Sequence, residues 1–213
     1  MGIAAVVLPA FEDPPVKKSE LDELKAQAKR CTDCPLWRNA TQTVFGEGDA
    51  RARAILVGEQ PGDVEDLKGH PFIGPAGAVL DRALVDAGLD RAELYVTNAV
   101  KHFKWEPRGK RRMHKTPAQQ EIEACRQWLE REIEAIKPEL LVALGATAAR
   151  ALMNRAVKLG ELRGKIIRRD DAPALLLTVH PSYVLRVPPP GRDQAYHGLV
   201  EDLKVAAGYL QRS

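Results

Sequence analysis

The chain has 213 residues, enough for one large domain with a sizeable buried core. Hydrophobic residues make up 45% of it and charged residues 29%, which is ordinary for a soluble globular protein. No apolar run approaches the length of a membrane span, and the apolar stretch 3–8 has no basic segment before it. We therefore expect a cytoplasmic protein with no signal peptide and no membrane partner.

The net charge of +3 is distributed unevenly along the chain. Residues 101–115 contain seven Lys or Arg and one acid, Glu106, a net +6, so the other 198 residues sum to −3. A mildly acidic body with one basic loop, placed at 104–116, indicates a local contact with a polyanion. The alternative for such a charge run is a solvated surface or a disordered tether.

The first 18 residues are predicted to be a disordered tail, because they contain three prolines and show no periodicity. Ser19 can then cap a helix in which apolar residues recur at helical spacing. No linker or internal repeat divides the remaining chain, so residues 19–213 are predicted to form a single domain.

Strands and helices are predicted to alternate after that first helix. The predicted strands are 55–57, 94–97, 140–144 and 174–179, with 165–168 as an edge strand. The predicted helices are 76–87, 116–136, 147–153 and 194–210. This alternation predicts an α/β fold with three α/β/α layers and a central, mainly parallel sheet of about four strands.

Polar residues follow three of the predicted strands. The Gly- and Pro-rich loop after the first strand contains Glu59, Gln60, Asp63 and Phe72. Asn98 follows the second strand and His180 follows the last one. Because the carboxyl ends of parallel strands meet at one edge of a sheet, these residues are predicted to share a cleft.

The three cysteines, Cys31, Cys34 and Cys125, are expected to be thiols or metal ligands in a cytosolic protein. The Cys31-x-x-Cys34 pair follows a helix, not a strand, so a thioredoxin-like redox motif is poorly supported. Cys125 lies on the inward face of a predicted helix, where a buried cysteine without a metal is the alternative.

These motifs together resemble the uracil-DNA glycosylase superfamily. Gly58-Glu59-Gln60-Pro61-Gly62-Asp63, followed by Pro71-Phe72-Ile73-Gly74, resembles its motif A. Its iron–sulfur branch is matched by Cys31-x-x-Cys34, Asn98, Cys125 and His180-Pro181-Ser182. Gln60 and the insert Lys110-Arg111-Arg112-Met113-His114 are similar to the UdgX subgroup, described as excising uracil and remaining covalently joined to the abasic site. The resemblance covers roughly residues 20–210.

The resemblance implies a metal centre with four ligands. The iron–sulfur branch has a cysteine near the position of His102, so this histidine is the expected substitute. A [4Fe–4S] cluster on Cys31, Cys34, His102 and Cys125 is favoured, and a closed zinc site is the alternative. No catalytic step is assigned to this centre.

The resemblance also implies the roles of the cleft residues. Phe72 would stack on uracil, while Asn98 and Gln60 would bind its polar edge. His180 would hydrogen-bond uracil O2 as the glycosidic bond breaks. A carboxylate, Glu59 first and Asp63 second, would stabilise positive charge on the sugar. His114 is the expected nucleophile at C1′, with Gln60 also placed among the catalytic residues.

The expected partner is uracil-containing DNA, including single strands, bound by a monomer that acts at the nucleoid. The residues expected to contact DNA are Lys110, Arg111, Arg112, Lys115, Ser182 and Arg186. Leu185 or Arg186 would fill the space that the flipped base leaves in the stack.

Two other functions remain open at this point. An ordinary hydrolytic iron–sulfur uracil-DNA glycosylase would turn over, and His114 would then only bind DNA. A metal-stabilised nucleic-acid-binding module would have no catalytic activity. Gln60 and the basic insert argue against the first, and the polar residues at three strand ends argue against the second.

Overall fold

The structure is a computed structural model that describes residues 16–212, with side chains from residue 18 onward. Of the predicted tail, residues 1–15 lie outside the described residues. Residues 16–18 belong to the first helix, which therefore begins three residues before the predicted cap at Ser19. No helix within residues 16–212 is both long enough and apolar enough to cross a membrane.

Eight α-helices, two short 3-10 helices (Pro35–Arg38 and Arg91–Glu93) and eight strands are described. The α-helices are α1 (Val16–Ala28), α2 (Asp63–Lys68), α3 (Pro75–Asp86), α4 (Gln119–Ile136), α5 (Ala146–Met153), α6 (Leu159–Leu162), α7 (Pro181–Arg186) and α8 (Gly191–Leu210). The strands are β1 (Glu47–Gly48), β2 (Ala54–Gly58), β3 (Tyr95–Asn98), β4 (Trp105–Arg108), β5 (Arg111–His114), β6 (Leu140–Leu144), β7 (Ile166–Arg169) and β8 (Ala172–Thr178).

Six of these strands form the central sheet, in the order β1-β3-β2-β6-β8-β7. The four inner strands are parallel, while β1 and β7 pair antiparallel at the two edges. The predicted mainly parallel α/β sheet is confirmed, with β1 as an edge strand that the sequence pattern did not indicate.

The sheet is covered by helices on both faces, as the three-layer prediction requires. Ile55 and Val57 of β2 pack in one apolar cluster with residues of α1, α4 and α5. Leu56, between them, packs in a second cluster with residues of α3 and α8. Successive side chains of a strand point to opposite faces, so a run that is apolar throughout requires a layer on each side.

The helices differ from prediction at three places near the cleft. The short helix α7, which follows His180, was not predicted. The loop after β2 contains the short helix α2, which was not predicted. Helix α4 begins at Gln119, not at Thr116, because the carboxylate of Glu121 accepts the Ala118 N–H at 2.6 Å and completes the cap.

The basic segment predicted as a loop forms a β-hairpin, the largest difference from prediction. In this hairpin β4 pairs antiparallel with β5, with Trp105 opposite His114 and Arg108 opposite Arg111. Gly109 occupies the first position of the two-residue turn with φ +60°, as a type II′ turn requires. The nucleophile candidate therefore lies at the end of a strand.

The carboxyl ends of the inner strands lie at one edge of the sheet. Gly58, the last residue of β2, pairs with Asn98, the last residue of β3. The backbone N–H of Gly145, just after β6, donates to the carbonyl of Thr178 at the end of β8 at 2.9 Å. These pairings bring four strand ends together, and the candidate site lies over them.

Candidate active site

A cavity of about 690 Å³ opens at this edge of the sheet. Ten residues singled out in the sequence line it: Glu59, Gln60, Asp63, Phe72, Asn98, His114, His180, Ser182, Leu185 and Arg186. A larger groove of about 1010 Å³ lies beside α1 and β1, but it contains none of the predicted site residues. The smaller cavity is therefore the candidate active site.

The lining of this cavity contains buried polar atoms that have no hydrogen-bond partner in the part of the chain that the structure describes. Among the described residues, three buried side-chain atoms lack a hydrogen-bond partner, and two of them, Asn98 Oδ1 and His180 Nε2, belong to the cavity lining. A buried polar atom without a partner is costly, so such atoms mark a place where a bound molecule can supply the missing contact.

Phe72 lies beside these atoms. Its own backbone conformation is uncommon, and its ring packs against a glycine. Its ring centroid is 5.9 Å from that of His180. Its φ of +55° is uncommon for a residue with a side chain. Gly58 permits this packing, because a Cβ atom there would collide with Asn98 Oδ1 and with the Phe72 ring.

His180 is arranged as a neutral hydrogen-bond donor. Burial lowers its pKa to about 4, with Arg186 and His114 adding to the effect and Glu59 opposing it. Its Nδ1 accepts the backbone N–H of Ser182 at 3.1 Å. A neutral ring whose Nδ1 accepts must have its proton on Nε2, the nitrogen that has no partner in the cavity.

Glu59 and His114 form a carboxylate–imidazole pair in the cavity. His114 Nε2 lies 3.2 Å from Glu59 Oε1, and the side chain of His114 is 49% exposed. Burial favours a raised pKa for Glu59, but hydrogen bonds from His114 and Thr147 outweigh it, so the pKa falls below its usual value. The carboxylate is therefore anionic at neutral pH and lies next to an accessible imidazole.

Thr147 is a site residue that the sequence interpretation missed. Its hydroxyl donates a short hydrogen bond to Glu59 Oε2. It lies just after Gly145, where β6 ends, at the one inner-strand end for which no site residue was predicted. The position of that strand end was the available clue.

Gln60 anchors the base of the hairpin. Its Nε2 donates to the carbonyls of Lys104 at 3.2 Å and Lys115 at 3.1 Å, and its Oε1 accepts the Lys104 N–H at 3.0 Å. Catalytic and base-binding roles were predicted for this residue. Its contacts favour a positioning role instead, because both ends of the amide are occupied by the backbone.

Arg112 is a second anchor, although it was predicted to contact phosphate. Its guanidinium donates to Asp63 Oδ1 and to Asp66 Oδ2, both at 2.6 Å. The rings of Phe103 and Trp105 lie within 5.4 and 5.5 Å of it. Asp63, the second candidate for sugar stabilisation, is therefore engaged with the hairpin.

The other hairpin cations differ in their availability. Lys115 pairs with Glu106 at 2.8 Å. Lys110 and Arg111 at the tip are exposed, and no partner is recorded for either within the described part of the chain. Arg108, which pairs with Arg111 next to the turn, is exposed as well, so this end of the hairpin presents three exposed positive charges.

The predicted metal ligands come from three segments of the chain that lie close together. Burial, together with smaller effects of the nearby Cys34 and Cys31 thiols, raises the pKa of the Cys125 thiol to about 12, against the opposing effect of Lys101. The backbone N–H of Lys101 contacts Cys125 Sγ at 3.2 Å, which brings the neighbouring His102 into the same region. The three thiols are thus close enough to interact electrostatically.

His102 provides the test of whether these residues fit a metal. Its Nε2 is hydrogen-bonded to Thr43 Oγ1 at 2.9 Å, whereas its buried Nδ1 has no partner. Within residues 16–212 no group of three or more His, Cys, Asp or Glu side chains is drawn around one point for a metal ion. The donor types and the unpartnered nitrogen nevertheless fit a thiolate–imidazole centre.

Comparisons with known proteins agree with the motifs and the fold. Residues 45–204 match the family described as the uracil DNA glycosylase superfamily. The type-4 uracil-DNA glycosylase of Thermotoga maritima is 36% identical over 198 residues, which cover 92% of this chain and 97% of that protein. The type-4 enzyme of Pyrobaculum aerophilum is 39% identical over 176 residues, covering 79% and 86% respectively. The chain therefore belongs to the uracil-DNA glycosylase superfamily.

Proposed function

We propose that this protein excises uracil from DNA and then remains covalently attached to the abasic site through His114. The observation that supports this proposal best is the His114–Glu59 pair, at 3.2 Å, beside a cavity with unpartnered base-binding atoms. The similarity to type-4 uracil-DNA glycosylases supports the excision step. The insert that resembles UdgX supports the covalent step.

Base recognition would begin with uracil flipped out of the DNA stack into the cavity. Asn98 Oδ1 would accept the N3–H of uracil, and the amide nitrogen would donate to O4. The Phe72 ring would stack on the base. Cytosine presents an acceptor at N3 and a donor at C4, so the same amide geometry would not match it.

Bond cleavage would separate two charges that the site can stabilise. The electrons of the C1′–N1 bond leave with uracil, and the neutral His180 would donate Nε2–H to its O2. The sugar becomes oxocarbenium-like, and the anionic Glu59 would stabilise it. Uracil then takes a proton from solvent and departs as the neutral base.

Capture of the sugar would use the imidazole of His114. A ring-nitrogen lone pair forms the bond to C1′, and Glu59 accepts the proton of the resulting imidazolium. Water, the usual nucleophile, is replaced by a side chain that cannot diffuse away. One protein molecule would therefore react once.

The hairpin tip would bind the DNA backbone near the flipped nucleotide. Lys110 and Arg111 are free to contact phosphates, and Ser182 and Arg186 belong to the cavity lining. Contacts of this kind are independent of sequence and weaken with salt. Single strands would be favoured substrates because flipping from them does not break a base pair.

The covalent step is tested by incubating the protein with a uracil-containing oligonucleotide in excess. A denaturing gel after heating should show a retarded protein–DNA band at about one equivalent per protein. Free abasic product accumulating over many turnovers, with no retarded band, would favour the hydrolytic alternative. Neither product would favour a binding module without catalysis.

Arg112 offers a prediction about the hairpin anchor. Arg112→Met removes the contacts to Asp63 and Asp66, so His114 should lose its fixed position near Glu59. The adduct should form roughly tenfold more slowly, while uracil release changes less, since small misplacements of a reacting group are costly. Stopped reactions at a series of times measure both rates.

Arg111→Met is the matched control for this anchor. It removes a cation from the neighbouring, exposed position, so it should weaken binding at higher salt and leave the adduct rate at saturation unchanged. Equal adduct rates for Arg112→Met and the unmodified protein would show that the contacts of Arg112 with Asp63 and Asp66 do not position His114.

We further propose that Cys31, Cys34, His102 and Cys125 bind a [4Fe–4S] cluster. When bound, the cluster would supply a cross-link between the α1 end, the segment before the hairpin and α4. His102 belongs to the segment that leads into β4, so the cluster would fix the position at which the hairpin begins. No reaction step is assigned to them.

Iron and sulfide analysis tests this cofactor. The purified protein should be brown, with about four irons and four sulfides per chain. Cys125→Ala should lower the melting temperature more than His102→Ala, because it removes a thiolate from inside a core helix. A colourless protein with one zinc per chain would contradict the cluster.

A further inference from the structure

We infer that Thr147 is a positioning residue that orients the Glu59 carboxylate toward His114. The inference rests on the proposed function, since it concerns the same carboxylate. Thr147 acts through Glu59 and is not part of the cavity lining itself.

The two oxygens of Glu59 are divided between two partners. Oε2 accepts the hydroxyl of Thr147, and Oε1 lies 3.2 Å from His114 Nε2. A carboxylate rotates easily about its last side-chain bond. With one oxygen fixed by Thr147, the other is directed at the imidazole.

The hydroxyl that fixes Glu59 is itself rigidly placed. Thr147 is only 8% exposed and lies in the first turn of α5, where the Ala149 N–H donates to the Gly145 carbonyl at 3.0 Å. Gly145 has φ +94°, and a Cβ atom there would approach the Cβ of His180 to 3.0 Å. The turn after β6 thus places Gly145 against His180 and the Thr147 hydroxyl against Glu59, which directly follows β2.

The contact also has an electrostatic consequence. The carboxylate can only accept, so the threonine hydroxyl must donate to it, and this donation favours the anionic form. It is one of the hydrogen bonds that lower the pKa of Glu59 against the opposing effect of burial. Removing the hydroxyl should raise the pKa of Glu59, so that the carboxylate protonates at higher pH.

Thr147→Val and Thr147→Ser provide the test. Valine keeps the branched shape without the hydroxyl, and serine keeps the hydroxyl without the methyl group. Adduct formation and uracil release are measured from pH 4 to 8 on one oligonucleotide at saturating protein. We expect Thr147→Val to form adduct about tenfold more slowly at pH 7. The acid limb of its pH–rate profile, where the rate falls as Glu59 is protonated, should move to higher pH. Thr147→Ser should restore both.

Three outcomes would overturn the inference. One is an unchanged rate and acid limb in Thr147→Val. Another is a slower Thr147→Val whose acid limb does not move, which would indicate a packing role. The third is a failure of serine to restore the limb. If the unmodified protein forms no adduct, the proposed covalent function fails, and the acid limb of uracil release still tests Thr147.

Discussion

His114→Ser should still release uracil from DNA but should form no heat-stable adduct. The groups that would stabilise the departing base and the sugar, His180 and Glu59, are untouched by this change. Serine is too short to reach C1′ from the end of β5, and water can enter the space that the ring vacates. The sugar would then be captured by water, and the protein would turn over.

The measurement uses one uracil oligonucleotide in tenfold excess, analysed for retarded protein–DNA band and for alkali-cleavable abasic product. His197→Ser is the matched control, because this exposed histidine lies on α8 and packs against Tyr196, away from the cavity. It should form the adduct as the unmodified protein does.

Two results would contradict this division of labour. A heat-stable adduct in His114→Ser would mean that another residue is the nucleophile. Loss of both adduct and uracil release would place His114 in the bond-breaking step, where Glu59 and His180 are proposed to act.

Asn98→Ala should lose about 100-fold in the rate of uracil release, because it removes the amide that would bind both polar positions of the base edge. The donor to O4 stabilises part of the negative charge that develops on uracil, and the loss of one such donor typically costs that much. DNA binding should remain and keep its salt dependence, since phosphate contacts are made by other segments.

The rate is measured under single-turnover conditions, with binding followed separately by fluorescence anisotropy at several salt concentrations. Gly58→Ala is a second route to the same loss, because its new Cβ would displace Asn98 and Phe72 together. Uracil release by Asn98→Ala at the unmodified rate would remove Asn98 from base recognition. A parallel loss of DNA binding would point instead to misfolding of the strand end.

The strands and the shared edge could be predicted from local sequence. Runs such as Ile55–Val57 and Leu140–Leu144 are apolar throughout, and a parallel sheet places their carboxyl ends together whatever the connecting helices do. The cleft between Glu59, Asn98 and His180 follows from that single rule.

The hairpin could not be predicted as readily, since its strands have few apolar residues and its pairing depends on distant partners. Gly109 in a two-residue turn was the one local indication. The contacts of Arg112 with Asp66 and of Gln60 with Lys104 are tertiary, and nothing in their spacing distinguishes them from a phosphate contact or a base contact. The contact of Thr147 with Glu59 is tertiary too, although its place just after β6 was a clue to its position at the sheet edge.

The anchoring of the hairpin has a consequence for how such an activity can be transferred between proteins. Residues 104–116 contain the histidine, but their clamps, Gln60, Asp63 and Asp66, belong to the loop after β2. Glu59 belongs to that loop too, so nucleophile and carboxylate are fixed to one another through it. If the hairpin alone were grafted into another member of the superfamily, it would bring the imidazole without the residues that position it. The hairpin and the loop after β2 would have to be transferred together, and we expect neither to change in evolution without the other.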